Sequence, residues 1–135
     1  MTLRTLRVLL LMDIVSLIYV SAIHAGVLGG GPFQSASRYE SFVAVLLWFG
    51  LASTWARPTI ARGGPFVAQF GALAGVFMGL TMATRGMAPA TTWDLAYQVV
   101  SIGLLVAGLI VALLMPAPGP NERRLPAGAY RRGRA

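Results

Sequence analysis

The sequence predicts an all-α membrane protein, an antiparallel bundle of four transmembrane helices with both termini in the cytoplasm. Three observations lead there. Four long apolar stretches, at about 6–28, 39–56, 65–84 and 93–115, are separated by short polar hinges. Each has the ~17–25 residues that a helix rising about 1.5 Å per residue needs to cross a hydrocarbon core about 30 Å thick. Of the 135 residues, 56% are hydrophobic and only 11% are charged. A soluble domain is about 25% charged, and too little polar surface remains here to coat a soluble core. Finally, all 11 basic residues are Arg, and they are unevenly placed. Arg4, Arg7, Arg57, Arg62, Arg123, Arg124, Arg131, Arg132 and Arg134 fall on one side of the four spans, Arg38 and Arg85 on the other. The positive-inside rule places the richer side in the cytoplasm, and an even number of spans returns both termini to it.

The chain therefore divides into a membrane domain over 1–116 and an Arg-rich tail over 117–135, read as a disordered cytoplasmic segment. The expected location is the inner (plasma) membrane as a multi-pass protein. All-Arg, Ala/Gly/Pro-rich usage points to a GC-rich bacterial genome. The first stretch resembles a secretory leader in its basic start, but Asp13 interrupts it and it runs on to Leu28, so it is read as a retained helix. Gly29-Gly30-Gly31-Pro32 is expected to end it.

The second stretch opens with Ser37-Arg38-Tyr39-Glu40, which has capping-box spacing, and places Trp55 where an interfacial belt would lie. The third is expected to begin at Pro65, a favourable first helical position. Its Gly71, Gly75 and Gly79 recur every fourth residue and form a side-chain-free groove for close helix packing. That groove suits packing within the bundle, or contact with a second copy or a membrane-protein partner. The fourth opens with Thr91 and Asp94, again at capping-box spacing, and Pro116 stops it.

The ionisable residues inside these stretches are the candidates for function, because each is expensive in lipid. Asp13 is the candidate intramembrane acid: either a carboxylate near the interface helped by Arg7 and Ser16, or a proton- or cation-coupling group. His24 lies eleven residues further on, on the same helix face. In an antiparallel bundle the outer helix ends converge, so His24, Glu40, Arg85 and Asp94 form a candidate outer polar cluster, with Tyr39, Trp93 and Tyr97 beside it. Helix capping explains Glu40 and Asp94 equally well, with Arg85 pairing to one of them.

No cysteine is present, which excludes a disulfide framework and a thiolate metal site. No catalytic residue, metal or cofactor is expected. The net charge of +7 is spread over several loops without an aromatic-interleaved face, so the bilayer and not a nucleic acid is the expected partner. Five tail arginines next to anionic headgroups would each contribute about 1 kcal/mol. The function expected is that of a non-catalytic accessory, assembly or structural subunit. The alternative is a small oligomeric transporter or ion-coupled carrier using Asp13. Four spans in so short a chain is similar in build to the small multidrug transporters, which use a carboxylate in their first helix, although Leu10–Leu17 does not reproduce that family's motif.

Overall fold

The structure, a computed structural model, describes residues 2–28, 34–56, 58–87 and 90–116. Four helices follow in order: α1 (Leu3–His24), α2 (Gln34–Ser53), α3 (Pro58–Thr84) and α4 (Thr92–Leu114). No strand occurs among the described residues. Each helix packs on the next, and α4 closes back onto α1. Helices α1, α3 from Ile60 and α4 are long and apolar enough to cross a membrane. The first two turns of α2 are rich in polar residues, Gln34, Ser35, Ser37, Arg38, Glu40 and Ser41, which lowers its hydropathy.

The helix ends differ from the sequence reading for local reasons. Helix α1 begins early because Thr2 caps it, its side chain accepting from the Thr5 N–H. It stops at His24, not Leu28, because Gly26 adopts a φ of 78°. That conformation lets the Gly26 N–H reach the Ile23 carbonyl and the Val27 N–H reach the Ala22 carbonyl, the pattern of a Schellman cap. Gly86, with a φ of 68°, ends α3 in the same way through the Ala83 and Met82 carbonyls. The glycine-proline run at 29–32 lies outside the described residues.

Helix α2 starts at Gln34, so Ser37 is already helical and the proposed Ser37–Glu40 capping box is not formed. Ser37 is instead part of a seam with α1. The Ser21 hydroxyl donates to the Ser37 carbonyl at 2.9 Å and lies 2.8 Å from Ser41 Oγ. Helix α3 starts at Pro58 and carries Pro65 in its interior, a correction to the expected start at Pro65. The capping box that opens α4 is present, with Thr91 and Asp94 serving each other's backbone N–H groups.

The core is a dry seam of Leu6, Leu10, Ile14 and Leu17 from α1, Val43, Leu47 and Leu51 from α2, Ala68, Ala72 and Val76 from α3, and Leu105, Val111 and Ala112 from α4. Small residues bring α2 and α3 close: a Cβ at Gly50 would lie 2.6 Å from that of Ala68. The outward faces are apolar as well, with Val15, Phe42, Phe49, Val67, Phe70, Val100 and Leu114 all exposed. Helices apolar all round are at home in lipid.

Two arginines fix the antiparallel order at one end. Arg7 Nε donates to Thr54 Oγ1 at 2.8 Å and Arg7 Nη2 to the Thr54 carbonyl at 2.8 Å, with the guanidinium 4.1 Å over the Trp55 ring. Arg62 Nε donates to the Ala112 carbonyl at 3.2 Å and Arg62 Nη2 to the Leu113 carbonyl at 2.9 Å. The start of each odd-numbered helix thus supplies donors to the carbonyls at the end of an even-numbered one. Those carbonyls have no intrahelical partner, and the positive charge complements the negative end of the helix dipole.

Candidate functional site

The opposite end of the bundle is tied by titratable groups. His24 is the last residue of α1, Glu40 lies in the second turn of α2, and Asp94 lies in the first turn of α4. The imidazole sits between the two acids, with Nδ1 2.9 Å from Glu40 Oε2 and Nε2 3.2 Å from Asp94 Oδ1. The three side chains are 12%, 13% and 17% exposed. With an acceptor at each nitrogen, the ring serves both ionised carboxylates only as imidazolium, when both nitrogens donate. Asp94 divides its work: Oδ2 takes the Thr91 N–H at 2.7 Å and closes the helix cap, while Oδ1 faces His24. The acids lie near helix N-termini and the cation near a C-terminus, so all three also complement their own helix dipoles.

The fourth member of the sequence-derived cluster does not join. Arg85 lies in the turn that ends α3, is exposed, and makes no ion pair among the described residues. The expected pairing of Arg85 with Glu40 or Asp94 is therefore corrected: His24 holds both acids. No group of three or more His, Cys, Asp or Glu among the described residues has the placement to hold a metal ion.

Beneath the His24–Glu40–Asp94 cluster opens a cavity of about 310 Å³ between all four helices. Its upper wall is His24, Glu40 and Asp94, its sides include Tyr39, Met78, Met82 and Gln98, and Leu17, Val76 and Tyr97 lie deeper. The glycine stripe helps to shape it. A Cβ on Gly75 would collide with the Tyr39 hydroxyl, one on Gly71 would lie 3.0 Å from Leu46, and one on Gly79 would lie 3.8 Å from Gln98 Oε1. Within this chain, then, the stripe meets α2 and α4.

Asp13 lies far from this surface. It is 1% exposed, and its Oδ2 has no hydrogen-bond partner. Because α1 starts at Leu3, Asp13 is at mid-helix, ~15–17 Å from either end at about 1.5 Å per residue. The near-interface placement expected from the sequence is corrected accordingly, and Arg7 reaches across to Thr54 on α2.

Sequence reasoning placed Ser16 beside this carboxylate but missed Ser101 and Gln69. The Tyr97 hydroxyl lies beside those of Ser16 and Ser101 and within electrostatic reach of both Asp13 and Glu40. Both amide atoms of Gln69 are buried without partners among the described residues, and Gln69 is wedged against Gly108 of α4. Tyr97 and Ser101 stand four residues apart on one face of α4, and that spacing was the available signal. Gln69 is the lone amide in an otherwise apolar stretch of α3.

The fold and the site together define a small helical protein of the membrane type, with a polar cluster closing one end and a buried acid at its centre. No protein-family model matches the sequence, and no curated protein or solved structure gives a significant match.

Proposed function

We propose that this chain is a small, non-catalytic, multi-pass protein of the plasma membrane that binds an amphiphilic organic cation in the cavity at its outer end. In this reading α2 is the fourth span. It is wedged between α1 and α3 and turns Phe42, Val45, Trp48 and Phe49 outward, as a lipid-facing helix does. The end tied by Arg7 and Arg62 faces the cytoplasm, in keeping with the arginine excess there. Trp55 at that end and Trp93 at the other mark the two interfaces.

The observation behind the ligand class is the cavity's charge. Its wall is largely apolar, yet among the described residues it presents two carboxylates and one imidazole and no arginine. One negative charge is left to be neutralised. Its size is at the small end of ordinary ligand sites, ~300–1,000 Å³. Tyr39 and Tyr97 offer ring faces to a cation, and Met78 and Met82 offer polarisable contacts. A second reading, an ion-coupled carrier working through Asp13, is favoured by the unpartnered oxygen of that buried carboxylate at mid-span.

Benzyltrimethylammonium, titrated into the purified chain in mild detergent, tests the proposal. Saturable binding is expected, weakened at least tenfold in Glu40→Gln, about 1.4 kcal/mol. Phenylmethanesulfonate, of similar shape and opposite charge, is expected not to bind. Equal affinity for the two ions, or an unchanged Glu40→Gln variant, would refute it.

A further inference from the structure

The polar groups of the interior are not scattered; they descend in order from the outer end. Counting about 1.5 Å per residue along α1 and α4, Asp94 lies ~3 Å below the outer helix ends, Tyr97 ~8 Å, Ser16 and Ser101 ~12–14 Å, and Asp13 ~17 Å. Tyr97 belongs to both regions: its side chain lines the outer cavity, and its hydroxyl lies beside Ser16 and Ser101. Asp13 Oδ2 is buried without a hydrogen-bond partner, and the Tyr97, Ser16 and Ser101 hydroxyls gather above it, with Ser16 Oγ donating to the Asp13 carbonyl at 2.9 Å. An orphaned buried polar atom costs about 1–3 kcal/mol, more where no water is near, so the carboxyl oxygen needs an occupant beside it. Ordered water is the occupant whose size and hydrogen-bonding fit.

The other half of the bundle is built differently. Below Asp13, Leu6, Leu10, Leu47, Leu51, Leu105 and Ala112 are each 0–1% exposed and pack into one apolar plug. Two buried polar side chains interrupt this half: Thr54, which accepts from Arg7, and Gln69, pressed on Gly108 with both amide atoms unpartnered. Hydroxyl groups gather above the central acid, whereas leucine packing dominates beneath it.

We propose that Asp13 is a proton-binding site at the centre of the membrane, reached from the outer side through a half-channel formed by Tyr97, Ser16 and Ser101. An unpartnered carboxylate at this depth is held as the neutral acid by the cost of a bare charge in a low-dielectric interior. Release breaks the Asp13 Oδ2–H bond and passes the proton to water. The Tyr97 hydroxyl hands one proton on as it accepts another, so the chain ends with a hydronium in the outer cavity and a carboxylate at Asp13. The titratable groups facing Asp13 are Tyr97 of α4 and, past it, Glu40 of α2 with His24 and Asp94. The charged residue of α3 on the inner side is Arg62, engaged with the α4 carbonyls. A cation entering the outer cavity would stabilise the Asp13 carboxylate and displace its proton; this coupling rests on the ligand reading above, whereas the half-channel does not.

The test is infrared spectroscopy of the full chain in lipid nanodiscs. Wild type is expected to show the carboxyl C=O band of a buried protonated acid, shifting on transfer to heavy water. That band is expected to vanish in Asp13→Asn and to move in frequency in Asp13→Glu, a control that keeps an acid should the amide variant fail to fold. In Tyr97→Phe the band is expected at full amplitude with exchange slowed at least tenfold. Three results would overturn the proposal: a band that survives Asp13→Asn, exchange in Tyr97→Phe at the wild-type rate, or a band that appears only when sodium is removed. A failed cation titration with an intact infrared result would reject the ligand and leave the proton site standing.

Discussion

Replacing His24 with Phe probes the outer closure most directly, because it keeps a ring of similar volume and removes both N–H donors. Two charge-assisted contacts are lost, at 2.9 Å to Glu40 and 3.2 Å to Asp94. Such bonds are each worth about 1.5–3 kcal/mol. The side chains are 12–17% exposed, so solvent screens them in part. The longer contact is also the weaker one. An overall loss of about 2–4 kcal/mol follows, including the repulsion left between two acids without their counter-charge. The assay is equilibrium unfolding in mixed micelles, followed by tryptophan fluorescence, in a double-mutant cycle with Glu40→Gln. If the imidazole binds the two acids as described, the second mutation costs less once the first is made, with a coupling of at least about 1 kcal/mol. Additivity within about 0.5 kcal/mol would show that His24 and Glu40 act independently and would refute the cluster.

Gly75→Leu should lower the free energy of unfolding by about 1–3 kcal/mol, because the new side chain must displace Tyr39 from the α2–α3 contact; analytical ultracentrifugation should show the same oligomeric state as wild type, and a changed state would return the glycine stripe to an intermolecular role. Arg62→Gln should weaken the cap on the last carbonyls of α4 by about 1–2 kcal/mol, read as faster amide hydrogen exchange across the last turn of α4 with α1 unchanged.

The helices were legible in the sequence because their apolar runs are long, and the period of a helix imposes no further requirement in lipid. Their ends were harder to read. Gly26 stops α1 while the residues after it, Val27 and Leu28, are still apolar, so hydropathy overruns a boundary that a single positive φ decides. Helix α2 begins inside a polar segment, where Ser37 looked like a cap and is instead a seam residue against Ser21. The meeting of His24, Glu40 and Asp94 could be argued from chain reversal alone, since antiparallel neighbours bring those helix ends together. The exclusion of Arg85 could not, because Arg85 falls in the turn after α3 that Gly86 closes, a boundary hydropathy does not mark. The depth of Asp13 was misjudged for the same reason as the helix start: counted from Leu3, it is central. Ser101 and Gln69 gave no signal in composition, since a lone hydroxyl or amide in an apolar run becomes informative only once the rotation of its helix is known.

The two ends of the bundle are fastened by different chemistry, and this gives the molecule a direction. At the end where α1 and α3 begin, Arg7 and Arg62 donate to a threonine hydroxyl and to backbone carbonyls. A guanidinium keeps its proton at any physiological pH and a carbonyl has none to exchange, so those ties do not respond to protons. At the end where α2 and α4 begin, every fastening between α1, α2 and α4 through His24 depends on the protonation of an imidazole and two carboxylates. The apolar plug lies towards the first kind of fastening and the cavity beside the second. Protonation can neutralise the ties at the His24 end and cannot neutralise those at the arginine end. On the proposals above, a proton or cation that altered the charge on Glu40 or Asp94 would weaken the hold of His24 beside the cavity that Tyr97 lines.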